Sequence, residues 1–124
     1  MTHGPPKTTR DTCLHDGEEV HVGCPALLEA TARVKPKLHC FGHIHEGYGA
    51  TMLGWHSAQE IREIPKLKRL MKCNYIDATQ EKYCRKSLYV NGAIEGEAGA
   101  FSNAPFIVDL TLPTPVKPYT VHNP

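Results

Sequence analysis

Two prolines place the firmest limit on what this chain can fold into. Pro25 and Pro36 bracket a stretch in which Leu27, Leu28, Ala30, Ala32 and Val34 supply apolar contacts. Proline suits the first position of a helix, where its missing N–H would have no partner anyway, and it stops a helix further along. A helix is therefore predicted that has Pro25 at its first position and is stopped by Pro36. The remaining apolar runs are too short for anything but strands. Leu38-His39-Cys40-Phe41, ended by Gly42, reads as a buried strand, and Ala50–Trp55 as a second one after the Gly47-Tyr48-Gly49 turn. Ser87–Ala93 and Phe106–Leu110, rich in β-branched and aromatic residues and bounded by Gly and Pro, read as two more. Residues 4–23 are polar, with turn signals at Gly4-Pro5-Pro6 and Asp16-Gly17, and read as loop. The pattern is α/β. At 124 residues it leaves room for one domain around one core.

The segment 57–86 differs in character. Ser57 and Glu60 fit a capping box, and Ile61, Ile64, Leu67 and Leu70 recur at helical spacing, with Pro65 starting a new helix or kinking the old one. A helical insert is predicted here. Its Lys and Arg residues (Arg62, Lys66, Lys68, Arg69, Lys72, Lys82, Arg85, Lys86) outnumber its acids. They read as the solvated face of a helical hairpin, with a patch for an acidic partner as the alternative. Residues 113–124 carry four prolines and read as an extended tail. Over the whole chain 14 basic residues face 13 acidic ones, so charge gives no reason to invoke nucleic acid or a membrane surface. No apolar run approaches the roughly 20 residues of a membrane span, and the N-terminus lacks the pattern of a signal peptide. A cytoplasmic protein with reduced thiols is expected, its five cysteines being odd in number and irregular in spacing.

Eight histidines are the unusual count. In Phe41-Gly42-His43-Ile44-His45-Glu46-Gly47 two of them directly follow a buried strand. Residues two apart in extended backbone point the same way, so His43 and His45 can offer both imidazoles to one cavity. Neutral imidazole is a donor to zinc, manganese or iron. His3 precedes a Gly-Pro turn forty residues earlier, a length that suits a crossover returning to the same edge of one sheet. Ordinary polar loop residues remain the alternative for each of the three. Cys13, His15, His21 and Cys24 have the residue types of a structural zinc site, although at no standard spacing.

Thr2-His3-Gly4-Pro5-Pro6, Val22-Gly23-Cys24-Pro25 with Leu27-Leu28, and Lys35-Pro36-Lys37-Leu38-His39-Cys40-Phe41-Gly42-His43-Ile44-His45-Glu46-Gly47-Tyr48-Gly49 closely resemble the calcineurin-like metallophosphoesterases, in particular their small metallophosphoesterase-domain group. Asn91 and the 103–110 stretch resemble that group's C-terminal part. The resemblance covers about residues 1–55 and 87–112. It implies a four-layer α/β/β/α sandwich and a phosphoesterase, chiefly a phosphodiesterase, acting on small phosphate esters. In such enzymes two divalent ions about 3.5–4 Å apart polarise a phosphoryl group and activate a bridging hydroxide. Carried over by motif, His3 and His43 correspond to ligands of the second ion and His45 to a ligand of the first.

The same resemblance implies an incomplete site. The Asp-x-His, Gly-Asp-x-x-Asp and Gly-Asn-His motifs of the family, which supply the bridging and terminal carboxylates, the Asn ligand and a leaving-group histidine, do not occur here. Three neutral imidazoles offset none of the four positive charges of two ions, so at most one ion is expected, and no residue is assigned a catalytic role. The chain thus reads as the C-terminal part of a phosphoesterase domain, residues 1–112, that is inactive alone. Two alternatives stand beside this: a non-enzymatic interaction or regulatory fragment using the basic segment, and a mononuclear zinc protein using Cys13–Cys24.

Overall fold

The computed structural model describes residues 1–55, 62–63, 68–70, 73–96 and 101–112, with the backbone alone at 62–63 and 68–70. It is a mixed α/β fold. Strands β1 (Thr12–His15) and β2 (Glu18–His21) form an antiparallel hairpin, and helix α1 (Pro25–Val34) follows. Strands β3 (Leu38–Phe41) and β4 (Gly49–Gly54) come next, then the short β5 (Arg62–Glu63) and β6 (Lys68–Leu70), and β7 (Cys73–Ala78). A 3-10 turn (Glu81–Tyr83), β8 (Lys86–Asn91) and β9 (Phe106–Leu110) complete the order.

Pro25 is at the start of α1 as predicted, and the helix ends on Lys35 in left-handed backbone, whose N–H reaches the Thr31 carbonyl at 2.8 Å. Among the described residues there are two sheets beyond the hairpin. One has the order β3-β8-β4-β5, with β3 and β8 parallel and β4 antiparallel to β8; the other has the order β6-β7-β9, with β7 and β9 parallel. Strand alternation sorts the side chains of β8. Leu88 and Val90 join Ala50 and Met52 of β4 against Ile76 of β7 and Tyr83, with Phe106 and Val108 of β9 packed at the margin. Tyr89 faces the other way with Phe41 and Leu53. Because β8 is buried on both faces, it is the axis of the fold.

Two expectations are corrected. Residues 4–23 are not all loop: Asp16 (φ 53°) and Gly17 (φ 85°) make the two-residue turn with positive φ at both positions that suits a hairpin. The segment 57–86 holds no α-helix where it is described, only the 3-10 turn at Glu81–Tyr83. It supplies β5, β6 and β7, and β7 lies in the middle of a sheet with Ile76 only 1% exposed. Of the basic residues that suggested a solvated helix, Arg62, Lys68 and Arg69 lie in the edge strands β5 and β6 and Lys86 opens β8, while Cys73–Ala78 pairs with β9 in sequence-distant register, which local spacing does not disclose. Ser57, Glu60, Ile61, Ile64, Pro65, Lys66, Leu67, Lys72 and the 113–124 tail lie outside the described residues. Ile76→Val is expected to cost about 1 kcal/mol in urea unfolding. A change below the error of that measurement would mean that β7 is not part of the cooperative core.

All five cysteines are free thiols. Among the described residues no helix is long and apolar enough to cross a membrane.

Candidate metal-binding edge

Since β3 and β8 run parallel, both deliver their C-terminal ends, Phe41 and Asn91, to one edge of the sheet, and the first residue of β4, Gly49, pairs with Asn91 there. Ligand-binding groups collect at such edges because the loops leaving the strands converge. Here the 42–48 loop, the 92–96 segment and the first residues of the chain meet. Two backbone hydrogen bonds tie the first residues to β3: Thr2 N–H to the Cys40 carbonyl at 3.1 Å, and Gly42 N–H to the His3 carbonyl at 2.9 Å.

These bonds bring His3 to His43. His3 Nε2 and His43 Nδ1 lie 3.1 Å apart, ring centroids 4.6 Å apart, and both side chains are exposed. His43 has φ 70° and is bracketed by a hydrogen bond from Ile44 N–H to the Gly42 carbonyl at 2.8 Å. That is a three-residue turn with a non-glycine residue in left-handed backbone, a rare and strained arrangement.

The nitrogen spacing can be tested against an ion. With bonds of about 2.0–2.1 Å, two ligands in neighbouring positions of an octahedral or tetrahedral shell stand about 2.9–3.4 Å apart. The pair therefore fits two adjoining positions on one ion. Without an ion, the same spacing is a hydrogen bond in which one ring donates and the other accepts. His45 goes elsewhere: its Nε2 is 3.9 Å from the Glu95 carboxylate. Among the described residues no three of His, Cys, Asp and Glu are gathered closely enough to hold an ion. The edge thus brings together His3 and His43 but does not draw His45 into the same group, and it adds Glu95, which no sequence motif indicated.

The edge is built on Asn91, which is fully buried. Its side-chain amide donates to the carbonyls of Ile44 (2.7 Å) and Arg10 (3.3 Å), and its carbonyl accepts from Ala93 N–H (3.1 Å). It ends β8 and pins the loop that carries His43 and His45. His39 is packed rather than ligating: 4% exposed, it sits between Phe41 and Tyr89 with Nε2 2.9 Å from the Thr2 hydroxyl. Burial pushes its pKa down, and the N-terminal ammonium adds to this.

Sequence reasoning missed a second constellation. Asp11 is 0% exposed; its Oδ2 accepts from the N–H groups of Thr8 and Gly23, both at 2.9 Å, and its Oδ1 lies 2.7 Å from Nδ1 of the half-exposed His21. Burial pushes the carboxyl's pKa up, but His21 and the two N–H groups outweigh it and hold the pKa below the ordinary carboxylate value. His21 is thereby turned onto Asp11, and Cys13, His15, His21 and Cys24 form no zinc-holding group.

No family model matches the chain, and no solved structure matches it. Over 56 residues it is 46% identical to a UPF0046 protein of Caenorhabditis elegans, covering 44% of this chain and 13% of that protein. Over 50 residues it is 50% identical to metallophosphoesterase domain-containing protein 1 of Homo sapiens, covering 40% and 15%. Over 65 residues it is 40% identical to probable rhamnogalacturonate lyase C of Emericella nidulans, covering 51% and 6%. The chain spans at most 15% of the length of these relatives. Over a short region, then, it is related to metallophosphoesterase-domain proteins.

Proposed function

We propose that this chain carries the histidine edge of a calcineurin-like, metal-dependent phosphodiesterase site, and that on its own it binds one divalent ion without turning over phosphate esters. The observation that supports this is the meeting of His3 and His43, forty residues apart in sequence, at a spacing that suits two ligands of one ion. Manganese, iron and zinc all accept imidazole donors. An ion held there supplies electrophilic polarisation of a phosphoryl oxygen. The protein's own part is positional. Asn91 fixes the loop, the turn at His43 aims its imidazole, and Gly42 N–H anchors His3. His45 stands on the same loop and would join the ligand set once a carboxylate-bearing partner segment completes the site.

Inactivity follows from the donors. The described residues put Glu95 within reach of His45 only, and no carboxylate is placed to bridge two ions. The experiment has two readouts. Cobalt(II) titration should give one site per chain by visible absorption, weakened about tenfold or more in His43→Ala. Turnover of a chromogenic phosphodiester with manganese should not exceed that of buffer. Cobalt binding that is unchanged in a His3→Ala/His43→Ala chain would remove the metal edge. Turnover above buffer that vanishes in His43→Ala would show that the chain is active by itself.

A further inference from the structure

The buried His39 of β3 has a bond that reaches the histidine edge by way of Thr2. Its Nε2 lies 2.9 Å from the Thr2 hydroxyl, and that hydroxyl donates in turn to the Gly4 carbonyl at 2.8 Å. A hydroxyl has one proton. Given to Gly4, it leaves the Thr2 oxygen to accept from Nε2–H, and the bare nitrogen of the neutral ring is then Nδ1. Nδ1 is buried and has no hydrogen-bond partner among the described residues. The bond from Thr2 to Gly4 spans His3, so His39 braces a small turn with His3 at its apex.

We propose that His39 is the positioning residue of the histidine pair: acting through Thr2, it holds His3 beside His43, and only its uncharged ring can do so. An imidazolium carries an N–H on both nitrogens. The second would point from Nδ1 into a place without an acceptor, and a charged ring left unpaired in the interior is costly. Phe41, the phenol of Tyr89 and Thr2 stand around the ring, and none is a carboxylate that would offset the charge. The N-terminal ammonium opposes it. Burial, with that ammonium as the lesser cause, holds the pKa of His39 below the ordinary imidazole value of about 6.5. The brace is therefore fully present above about pH 6.5. As pH falls below that value, a released ring takes up a proton that the braced ring refuses, and the brace is lost. The inference concerns how the pair is assembled, and it stands whether or not the pair binds metal.

Gly42 N–H, which donates to the His3 carbonyl at 2.9 Å, reports on the brace without any metal. The full chain for the test carries His43→Asn, an uncharged residue that tolerates the left-handed backbone at this position, so repulsion between His3 and His43 plays no part. The protection of the Gly42 amide against hydrogen exchange, followed by NMR, should be constant above about pH 6.5 and fall by up to about tenfold per pH unit below it. Adding His39→Gln, which offers Thr2 an uncharged N–H at every pH, should flatten the profile down to about pH 5. Adding Thr2→Val instead, a change outside the core, should lower the protection about tenfold at pH 7.5. A profile that does not fall below about pH 6.5, or one that falls equally with His39→Gln, overturns the proposal. So does unchanged protection with Thr2→Val, and this arm holds even if the His39→Gln chain does not fold.

Discussion

Asp11→Ala is expected to lower the free energy of unfolding by about 3–4 kcal/mol at pH 7, because it strands three hydrogen-bond donors at once. The N–H groups of Thr8 and Gly23 and Nδ1 of His21 all converge on one fully buried carboxylate. Gly23 is packed so closely that a Cβ there would stand 2.8 Å from the Asp11 carboxylate and 2.6 Å from the Pro6 carbonyl oxygen. Asp11→Asn keeps the shape and one acceptor, and should lose about half as much. The pH dependence distinguishes charge from shape. The folded pKa of Asp11 lies below that of the unfolded chain, so its contribution is fully present above an unfolded value of about 3.9 and is lost as pH falls through the folded pKa. Urea unfolding of wild type and Asp11→Asn should therefore differ by a constant amount from pH 7 to about 4.5 and converge below about pH 4. A gap that persists unchanged at about pH 2.5 would show that the carboxylate's charge plays no part.

Gly47→Ala is expected to cost about 3 kcal/mol or more and to shift the loop that carries His43 and His45. A Cβ at Gly47 would stand 2.8 Å from the Arg10 carbonyl carbon, closer still to its oxygen, and 3.0 Å from the Asn91 amide nitrogen. Neither can give way. The Arg10 guanidinium donates to the Thr51 hydroxyl at 2.8 Å, the Ala50 carbonyl at 2.6 Å and the Tyr48 carbonyl at 3.3 Å. Asn91 is held by the three bonds already described. Gly92→Ala is the control: its Cβ would meet nothing nearer than 3.9 Å, and the cost should stay below about 1 kcal/mol. Equal destabilisation by the two substitutions would mean that the Gly47 contact is not rigid.

How much of this was legible depends on which forces act locally. Helix α1 was legible because Pro25 and Pro36 state its limits outright, and β3, β8 and β9 because each is a short β-branched or aromatic run between Gly or Pro. The β1–β2 hairpin was not, because it is exposed along most of its length and shows no apolar alternation; its one signal was Asp16-Gly17, which carries the turn. Strand β7 was hidden by a basic neighbourhood with helix-like spacing, and its true partner, β9, starts over thirty residues downstream. At the edge, the motif pointed to His3, His43 and His45; the structure brings the first two together and leaves His45 beside Glu95. Glu95 and the Asp11–His21 pair lay beyond reach, since buried hydrogen-bond partners leave no periodic trace in sequence.

The parallel pairing of β3 with β8 has a consequence in time as well as in space. Leu38 meets Leu88 across about fifty residues of intervening chain, and His3 is fastened to Gly42 across nearly forty. Closing such long loops is an entropic cost met before any contact rewards it, and it slows folding. The histidine edge cannot form early as a local hairpin does. It comes into being only with long-range pairing, so a nascent or partly unfolded chain offers scattered imidazoles rather than a preformed pair. On the proposed function, ion capture would report completed folding, and an ion that prefers the pair to scattered histidines would act in turn as a clamp on this long-range closure.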